Sequence, residues 1–446
     1  MNPNQKAFGL WSAVFLGIGS MVGAGIFIVI GQAGAIAGNL VWISFVLGGI
    51  AALFSGYSLA KLAVTYPSRG GIVEYLVQGY GEGVFSGSAG VLFYFSQLIA
   101  IAAVAKSFGA YAGTFVGASI EWQNFFAIGI VILFILINLI GASLVAKSEN
   151  IIVFIKITIL TLFTGVSLFY INPELLSSSK MPPMNSMLFA IGLTFFAYQG
   201  FSVITNTTED MVDPKRTMMK AMTVTIILVG LLYVLTSVAV LGNLPMPEVV
   251  KAQDYALAQA AEPIFGTIGF KVIAATALLA TASAINATLY AATEISYTLA
   301  KEGNLPKVYT FNVSHSYEGL IISGIFILPM ILFLDLSQIT TIAALIVLVI
   351  QGLTHVGHLM RIKQTGANVY LVVGAIASMF SIAGLTLYHT SKEMPYLGFY
   401  ILGSFLLAFF IEILLRIFLQ RVVTKQTEEN FINTMKKKID NVFHEN

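Results

Sequence analysis

The stretch GIGSMVGAGIFIVIG, residues 17–31, contains five glycines among residues that are almost all apolar. A long apolar stretch is typical of a membrane-spanning helix, whereas each glycine weakens a helix by about 1 kcal/mol relative to alanine. Backbone polar groups inside a bilayer must be satisfied by the protein, so a helix breaks there only where it lines a cavity. The stretch therefore indicates either a break around Gly23 and Gly25 that lets a polar ligand approach the backbone, or a packed helix seam with the four-residue spacing of Gly19 and Gly23.

The composition of the whole chain is that of a protein with many membrane spans. Of its 446 residues, 57% are hydrophobic and 10% are charged, against roughly a quarter charged in a soluble protein. The apolar runs are continuous and long, which favours helices over the ~10-residue alternating segments of a β-barrel. The chain has no cysteine, which excludes disulfides and thiolate metal sites. We predict an all-α membrane protein with twelve spans, near residues 9–36, 40–66, 84–117, 124–145, 150–171, 185–208, 217–242, 265–299, 318–335, 337–360, 367–390 and 395–418.

Lysine and arginine are distributed unevenly over the loops between these spans. If the N-terminus is cytoplasmic, seventeen of them lie on the cytoplasmic side and four on the other, as the positive-inside rule requires. We therefore expect a multi-pass protein of the cell membrane with both termini in the cytoplasm. Two further lysines, Lys106 and Lys156, lie within apolar spans.

A second interrupted segment, TFFAYQGFSVITNTTED at residues 194–210, lies in the sixth predicted span. It places Tyr198, Gln199 and Gly200 in the middle of the membrane, five spans after the first glycine-rich segment. Paired interrupted helices in matching halves are the best sequence indication of a transporter binding site, where half-helix ends and free carbonyls suit a zwitterion. The alternative is a polar stripe that faces neighbouring helices.

Four motifs in order resemble the amino acid–polyamine–organocation (APC) transporter superfamily over nearly the whole chain. They are GAGIF at 23–27, TYPSRGGIVEYL at 65–76, AYQGFSVITNTTEDMVDPKR at 197–216 and NATLYAATEISYTLAKEGNLPKVY at 286–309. Asp213 replaces the asparagine of the family loop. Within the superfamily the chain is similar to the ApcT-type proton-coupled, broad-specificity amino acid transporters.

The resemblance implies a LeuT-like fold of twelve helices, in which two inverted repeats of five spans each contain a discontinuous helix, the first and the sixth. The repeats would cover residues 1–171 and 172–363, followed by two further spans at 364–420 and a cytoplasmic tail at 421–446. By the same resemblance, the substrate carboxylate would lie near Gly23, Ala24, Gly25 and Ile26. Carbonyls of Met21, Phe196, Ala197 and Gln199 would hold its amine. Phe196 would also cover the substrate as a gate, and Phe201 would face its side chain.

Lys156, in NIIVFIKITIL, lies about six residues into the fifth span. Six residues of helix correspond to only ~9 Å of depth, so its long side chain could reach the membrane surface. The resemblance instead identifies it with the lysine that replaces a sodium ion between spans one and eight, where Gly19 and Ser283 would be its neighbours. Desolvation disfavours the charged form of a lysine, so a residue in that place could take up and release a proton.

Five other polar residues within spans have weaker indications. Glu209 and Glu294 are expected at a cytoplasmic gate, with proton coupling as a second reading for Glu294. Lys106 is expected to be structural or to face an outer vestibule. His355 and His358 have a spacing that metal sites use, but no third ligand is near in sequence, and we expect no metal site there.

Together these features predict a secondary transporter and not an enzyme, since the usual hydrolase and nucleotide-binding motifs are missing from the sequence. We expect proton-coupled symport of small or medium neutral L-amino acids by alternating access, with H⁺ as the coupling ion and no cofactor. The expected partners are the amino acid and the lipid bilayer, with no nucleic acid and no obligatory protein. A sodium-independent exchanger is the alternative, and an amino acid sensor on the same fold is a third.

Overall fold

The computed structural model describes residues 9–419, apart from 69, 118, 141–142, 178–181, 315 and 394. The predicted tail at 421–446 therefore lies outside the described residues. The α-helices, α1 to α17 in chain order, are Leu10–Ala37, Val41–Thr65, Ile72–Tyr80, Val84–Val116, Ile120–Ile140, Ser143–Ser167, Ser186–Phe189, Ile191–Tyr198, Pro214–Asn243, Met246–Lys251, Ala256–Gln259, Glu262–Lys301, Glu318–Phe333, Leu336–Met360, Ile362–Thr365, Val369–Glu393 and Leu397–Leu419. Short 3₁₀ helices occupy Gly38–Leu40, Leu168–Tyr170, Pro173–Leu176 and Lys307–Thr310, and a longer one spans Gln199–Asp210. Strands β1, Asn312–Val313, and β2, Ser316–Tyr317, form a small antiparallel pair.

The described part of the chain is almost entirely helical and suited to a membrane. Nine of its helical stretches are long and apolar enough to cross a membrane. The first, Gly25–Thr65, comprises the C-terminal part of α1 and all of α2. Two shorter apolar helices are Leu10–Gly23 and Glu318–Phe333. These findings indicate a mostly helical, multi-pass membrane protein, and the exact number of twelve crossings stays a prediction.

The interior of the molecule is built around α4, α14 and α1. Helix α4 packs against α12, α5, α14 and α17, while α1 packs against α9, α8 and α12. Residues of α4 and α14 are mostly buried, whereas α5 and α17 expose large apolar side chains. A lipid environment favours apolar side chains on the outer helices. A polar site is therefore expected among the buried helices.

The predicted break in the first span is wrong for this structure. Helix α1 runs from Leu10 to Ala37 in one piece, and the backbone at Gly23, Ala24 and Gly25 is helical. The glycines instead allow neighbouring helices to approach closely. A Cβ atom at Gly17 would lie 2.6 Å from Ile204, and one at Gly19 would lie 2.7 Å from Val153. Close packing with α1 is thus the reason for these glycines, and it offsets their helix-weakening effect.

The sixth span does change its helical type at the predicted place. Helix α8 ends at Tyr198, and the backbone continues from Gln199 to Asp210 as a 3₁₀ helix of twelve residues. Such helices rarely exceed 3–4 residues, and a long one often marks a hinge or a strained sequence. Hydroxyls of Ser202, Thr205 and Thr208 bond to the carbonyls three residues earlier, which matches the three residues per turn of this helix. We call residues 191–210 segment six.

Candidate transport site

Helix α1 and segment six touch through their backbones at the two places where the sequence predicts a ligand. A Cβ atom on Gly25 would lie 2.5 Å from the carbonyl oxygen of Ala197, and one on Gly200 would lie 2.5 Å from the amide nitrogen of Met21. Any side chain at either glycine would push the two segments apart. The two segments therefore contact each other at the predicted substrate region, although α1 is not unwound.

Tyr233 of α9 holds this junction together. Its hydroxyl donates to the carbonyl of Met21, with an O–O distance of 2.6 Å, and lies 3.2 Å from the carbonyl oxygen of Ala197. Its ring is fully buried and packs edge-on against Phe45 and Tyr198. The hydroxyl thus reaches two of the carbonyls predicted to hold a substrate amine. The sequence gives no indication of this role, because Tyr233 is a single aromatic residue in an apolar span.

Lys156 does not reach the membrane surface. Its side chain is 0% exposed, and its Nζ donates to the carbonyl of Gly19 at 2.7 Å. A Cβ on Gly23 would lie 3.8 Å from Nζ and 3.0 Å from the Cβ of Ala284. Helices α1, α6 and α12 therefore meet at the lysine.

The contact with Gly19 is the one that the family resemblance implies. Ser283, the other expected neighbour, is buried beside Ala284 on α12. Because the ammonium lies among apolar helices and touches the middle of α1, a change in its charge would act directly on the predicted substrate region.

The side chains predicted to surround the substrate are packed inside the protein. Met21 and Ile26 are at most 1% exposed, Phe201 is 0% exposed and Phe196 is 8% exposed. Gln199, at the change from α to 3₁₀ helix, is partly exposed. The side chain of Ala24 lies outside the described part of the chain.

The two predicted gate carboxylates are both on the surface. Glu209 lies near the end of the long 3₁₀ helix, and Glu294 lies on α12 with its carbonyl accepting the Thr298 hydroxyl. Their function at a cytoplasmic gate stays a prediction.

Lys106, on α4, is structural at the opposite end of the molecule. Its Nζ donates to the carbonyls of Ile331 at 3.0 Å and Leu334 at 2.8 Å. These carbonyls belong to the C-terminal end of α13, where a helix has unsatisfied acceptors and a partial negative charge. Lys106 therefore caps α13.

The same lysine lines one of two cavities at this end of the molecule, which have volumes of about 220 and 260 Å³. The smaller cavity also contains Asp254 and Asp335, and the larger one lies beside Asn39 and Leu244. The lining of neither cavity includes a predicted substrate residue. These two cavities therefore lie apart from the predicted substrate residues.

A buried chain of hydrogen bonds joins α2, segment six and α14. Ser55 Oγ donates to Gln351 Oε1 at 2.8 Å, and Gln351 Nε2 donates to Gln199 Oε1 at 2.9 Å. Nε2 of His355 lies 2.9 Å from Ser55 Oγ. The sequence shows Gln351 as a lone polar residue in an apolar span, but its partners are 296 and 152 residues away in the chain. No local pattern could identify them.

The second histidine of the pair also bonds to hydroxyl groups. His358 Nδ1 lies 2.7 Å from Ser58 Oγ, and its Nε2 lies 2.8 Å from Thr365 Oγ1. Among the described residues no group of three or more potential metal ligands comes together. The two histidines therefore connect α14 to its neighbours through hydroxyl groups.

Comparison with known proteins identifies the family. Residues 8–436 match the sequence model of a family described as amino acid permease. The chain is 34% identical to the inner membrane transport protein YbaT of Escherichia coli, over 93% of this chain and 97% of that protein. It is 32% identical to protein MJ0609 of Methanocaldococcus jannaschii, over 96% and 99% of the two chains. It is 26% identical to the serine/threonine exchanger SteT of Bacillus subtilis, over 71% and 73%. The family match over residues 8–436 and the 34% identity to YbaT show that the chain belongs to the amino acid permeases of the APC superfamily, which are transporters and not enzymes.

Proposed function

We propose that this protein is a proton-coupled symporter that imports small or medium neutral L-amino acids across the cell membrane by alternating access. The proposal includes the LeuT-like arrangement of two inverted repeats with twelve spans and cytoplasmic termini. Its chemical basis is a buried cation that contacts the helix against which the substrate would bind.

The observation that supports proton coupling is the position of the Lys156 ammonium. A lysine at such depth costs roughly 2.5–3.5 kcal/mol on insertion scales when it is charged. Its bond to the Gly19 carbonyl compensates part of that cost. The balance between charged and neutral forms then depends on the position of α1, so movement of α1 between two transporter states would change the lysine's affinity for a proton. Reciprocally, protonation would favour one of those states.

The proposed substrate site lies where α1 and segment six touch. The amine would bind carbonyls of Met21, Phe196, Ala197 and Gln199, two of which now lie within reach of the Tyr233 hydroxyl. The carboxylate would bind N–H groups from Gly23 to Ile26. Because α1 is helical there, substrate binding must open part of one helical turn, at a cost of about 0.5–1.5 kcal/mol for each hydrogen bond. Glycine at positions 23 and 25 permits the backbone dihedral angles that such an opening requires.

The decisive experiment uses purified protein in liposomes with labelled alanine and an inward proton gradient. Wild type should accumulate alanine, and accumulation should be lost in Lys156→Ala and in Lys156→Met, which keeps most of the side-chain volume. Exchange of labelled alanine into alanine-loaded vesicles shows that a variant is folded and still binds substrate. Lys271→Ala removes an exposed lysine of α12 and should behave as wild type. Gradient-driven accumulation by a folded Lys156→Met variant would refute the role of the lysine.

An exchanger without ion coupling is the second candidate, because a relative over about 70% of the chain is named a serine/threonine exchanger. It predicts uptake only into preloaded vesicles, with no response to a proton gradient. Binding of alanine without any flux would indicate a sensor instead.

A further inference from the structure

In this structure the links of the hydrogen-bond chain from His355 to Gln199 all donate in the same direction. A hydroxyl has one proton, and that of Ser55 is donated to Gln351 Oε1. The 2.9 Å contact between His355 Nε2 and Ser55 Oγ therefore requires a proton on Nε2. Every link then donates toward segment six, from His355 to Ser55, on to Gln351 and finally to Gln199 Oε1.

The chain ends in a donor that no other residue uses. Gln199 Nε2 is shielded from solvent and has no hydrogen-bond partner within the described structure. A buried amide N–H without an acceptor loses its hydrogen bonds to water and gains none in return, so most buried donors in proteins have a partner. Gln199 Oε1 accepts from Gln351 Nε2, so rotation of the Gln199 amide alone would break that bond.

Gln199 places this unpaired donor beside the predicted substrate region. It lies where α8 changes into the 3₁₀ helix, next to Gly200, which touches the backbone of Met21. The residues that hold it come from rigid, buried parts of α2 and α14, where Ser55, Gln351 and His355 are each 0% exposed. A side chain fixed in this manner is suited to recognition, because little conformational freedom is lost on binding.

We propose that Gln351 is a positioning residue, and that through it the Gln199 amide recognises a hydroxyl or carbonyl oxygen on the side chain of the transported amino acid. The inference rests on the proposed function and adds a preference within it for polar over apolar small substrates. Ser55 and His355 keep Gln351 in one orientation through their hydrogen bonds. Serine and alanine differ by a single hydroxyl, so they are the appropriate pair of probes.

The test compares kcat/KM for serine and alanine in proteoliposomes. Gln351→Met, which is similar in length and has no amide, should lower the serine-to-alanine ratio about three- to tenfold, as the loss of one neutral hydrogen bond predicts. The loss should lie mainly in the KM for serine. Gln199→Met should give the same shift, and the double variant should shift the ratio no further.

Two further variants separate recognition from general damage. Among the described residues, the buried Thr354 hydroxyl of α14 bonds to the carbonyl of Ile350 in its own helix. Thr354→Val removes this hydroxyl and should leave the ratio unchanged. Ser55→Ala is a milder change that should shift the ratio in the same direction as Gln351→Met, which keeps the test valid if the latter fails to fold. An unchanged ratio in a folded Gln351→Met variant, or additive shifts in the double variant, would overturn the inference. Either result leaves proton-driven alanine uptake, and hence the proposed function, intact.

Discussion

The contact between Gly25 and Ala197 predicts that the first span tolerates no side chain at residue 25. A Cβ there would lie 2.5 Å from the Ala197 carbonyl oxygen and 2.8 Å from the Tyr233 hydroxyl. Restoring an ordinary contact of 3.4 Å requires a displacement of about 0.9 Å between α1 and segment six. Overpacking on this scale costs about 1–3 kcal/mol. Gly25→Ala should therefore destabilise the protein and weaken alanine binding, because the substrate region lies at this junction.

The matched control is Gly129→Ala in α5, where an added Cβ would meet nothing within 4 Å. Both substitutions gain the same helix propensity of about 1 kcal/mol, so the difference between them isolates the contact. We expect the melting temperature of Gly25→Ala, measured on purified protein in detergent, to lie several degrees below that of Gly129→Ala. Equal melting temperatures and equal alanine affinities would show that residue 25 faces open space, contrary to the helix packing described here.

Three further substitutions test other parts of the structure, and the measured quantity is the melting temperature of the purified protein. Lys106→Met removes the cap on the last carbonyls of α13 and should cost about 1.5–3 kcal/mol of stability. It should leave proton-driven alanine uptake in place, whereas loss of that uptake would implicate Lys106 in coupling. Tyr233→Phe removes the hydroxyl that joins α1 to α9 and should cost about 1 kcal/mol. Unchanged stability would mean that water replaces the hydroxyl. At the loop after α12, burial and then the carboxylates of Glu74 and Glu82 raise the pKa of Glu302 from 4.5 to about 7. Between these values the folded protein holds a proton that the unfolded chain has lost, so stability should fall as pH rises from 4.5 to 7. The effect should be small because Glu302 is only partly buried and keeps much of its surface in solvent, and Glu302→Gln should remove it.

The membrane class and the positions of the helices could be predicted from the sequence because they depend on local properties. Long apolar runs with short polar connections specify spanning helices. The connection at 243–264, between the seventh and eighth predicted spans, holds the two short helices Met246–Lys251 and Ala256–Gln259. The contact of Lys156 with Gly19 followed from the family resemblance, since the residues alone left snorkelling to the surface open.

The state of α1 could not be predicted, because glycine permits two outcomes that have the same sequence signature. Glycines at Gly19, Gly23 and Gly25 suit an unwound segment and equally suit a helix against which other backbones pack. Which of these occurs depends on what lies opposite, here Val153, Ala284 and Ala197. Segment six does change its helical type at the predicted place, where Gly200 packs against the backbone of Met21.

The most direct test of the central claim measures proton movement itself. Proteoliposomes that contain a pH-sensitive dye, with equal pH on both sides, should acidify inside when alanine is added to wild-type protein. The Lys156→Met protein should exchange external for internal alanine in loaded vesicles without acidifying the interior. The Lys271→Ala protein should acidify the interior as wild type does. Alanine uptake by wild type without any change in internal pH, or equal acidification by Lys156→Met, would contradict the account.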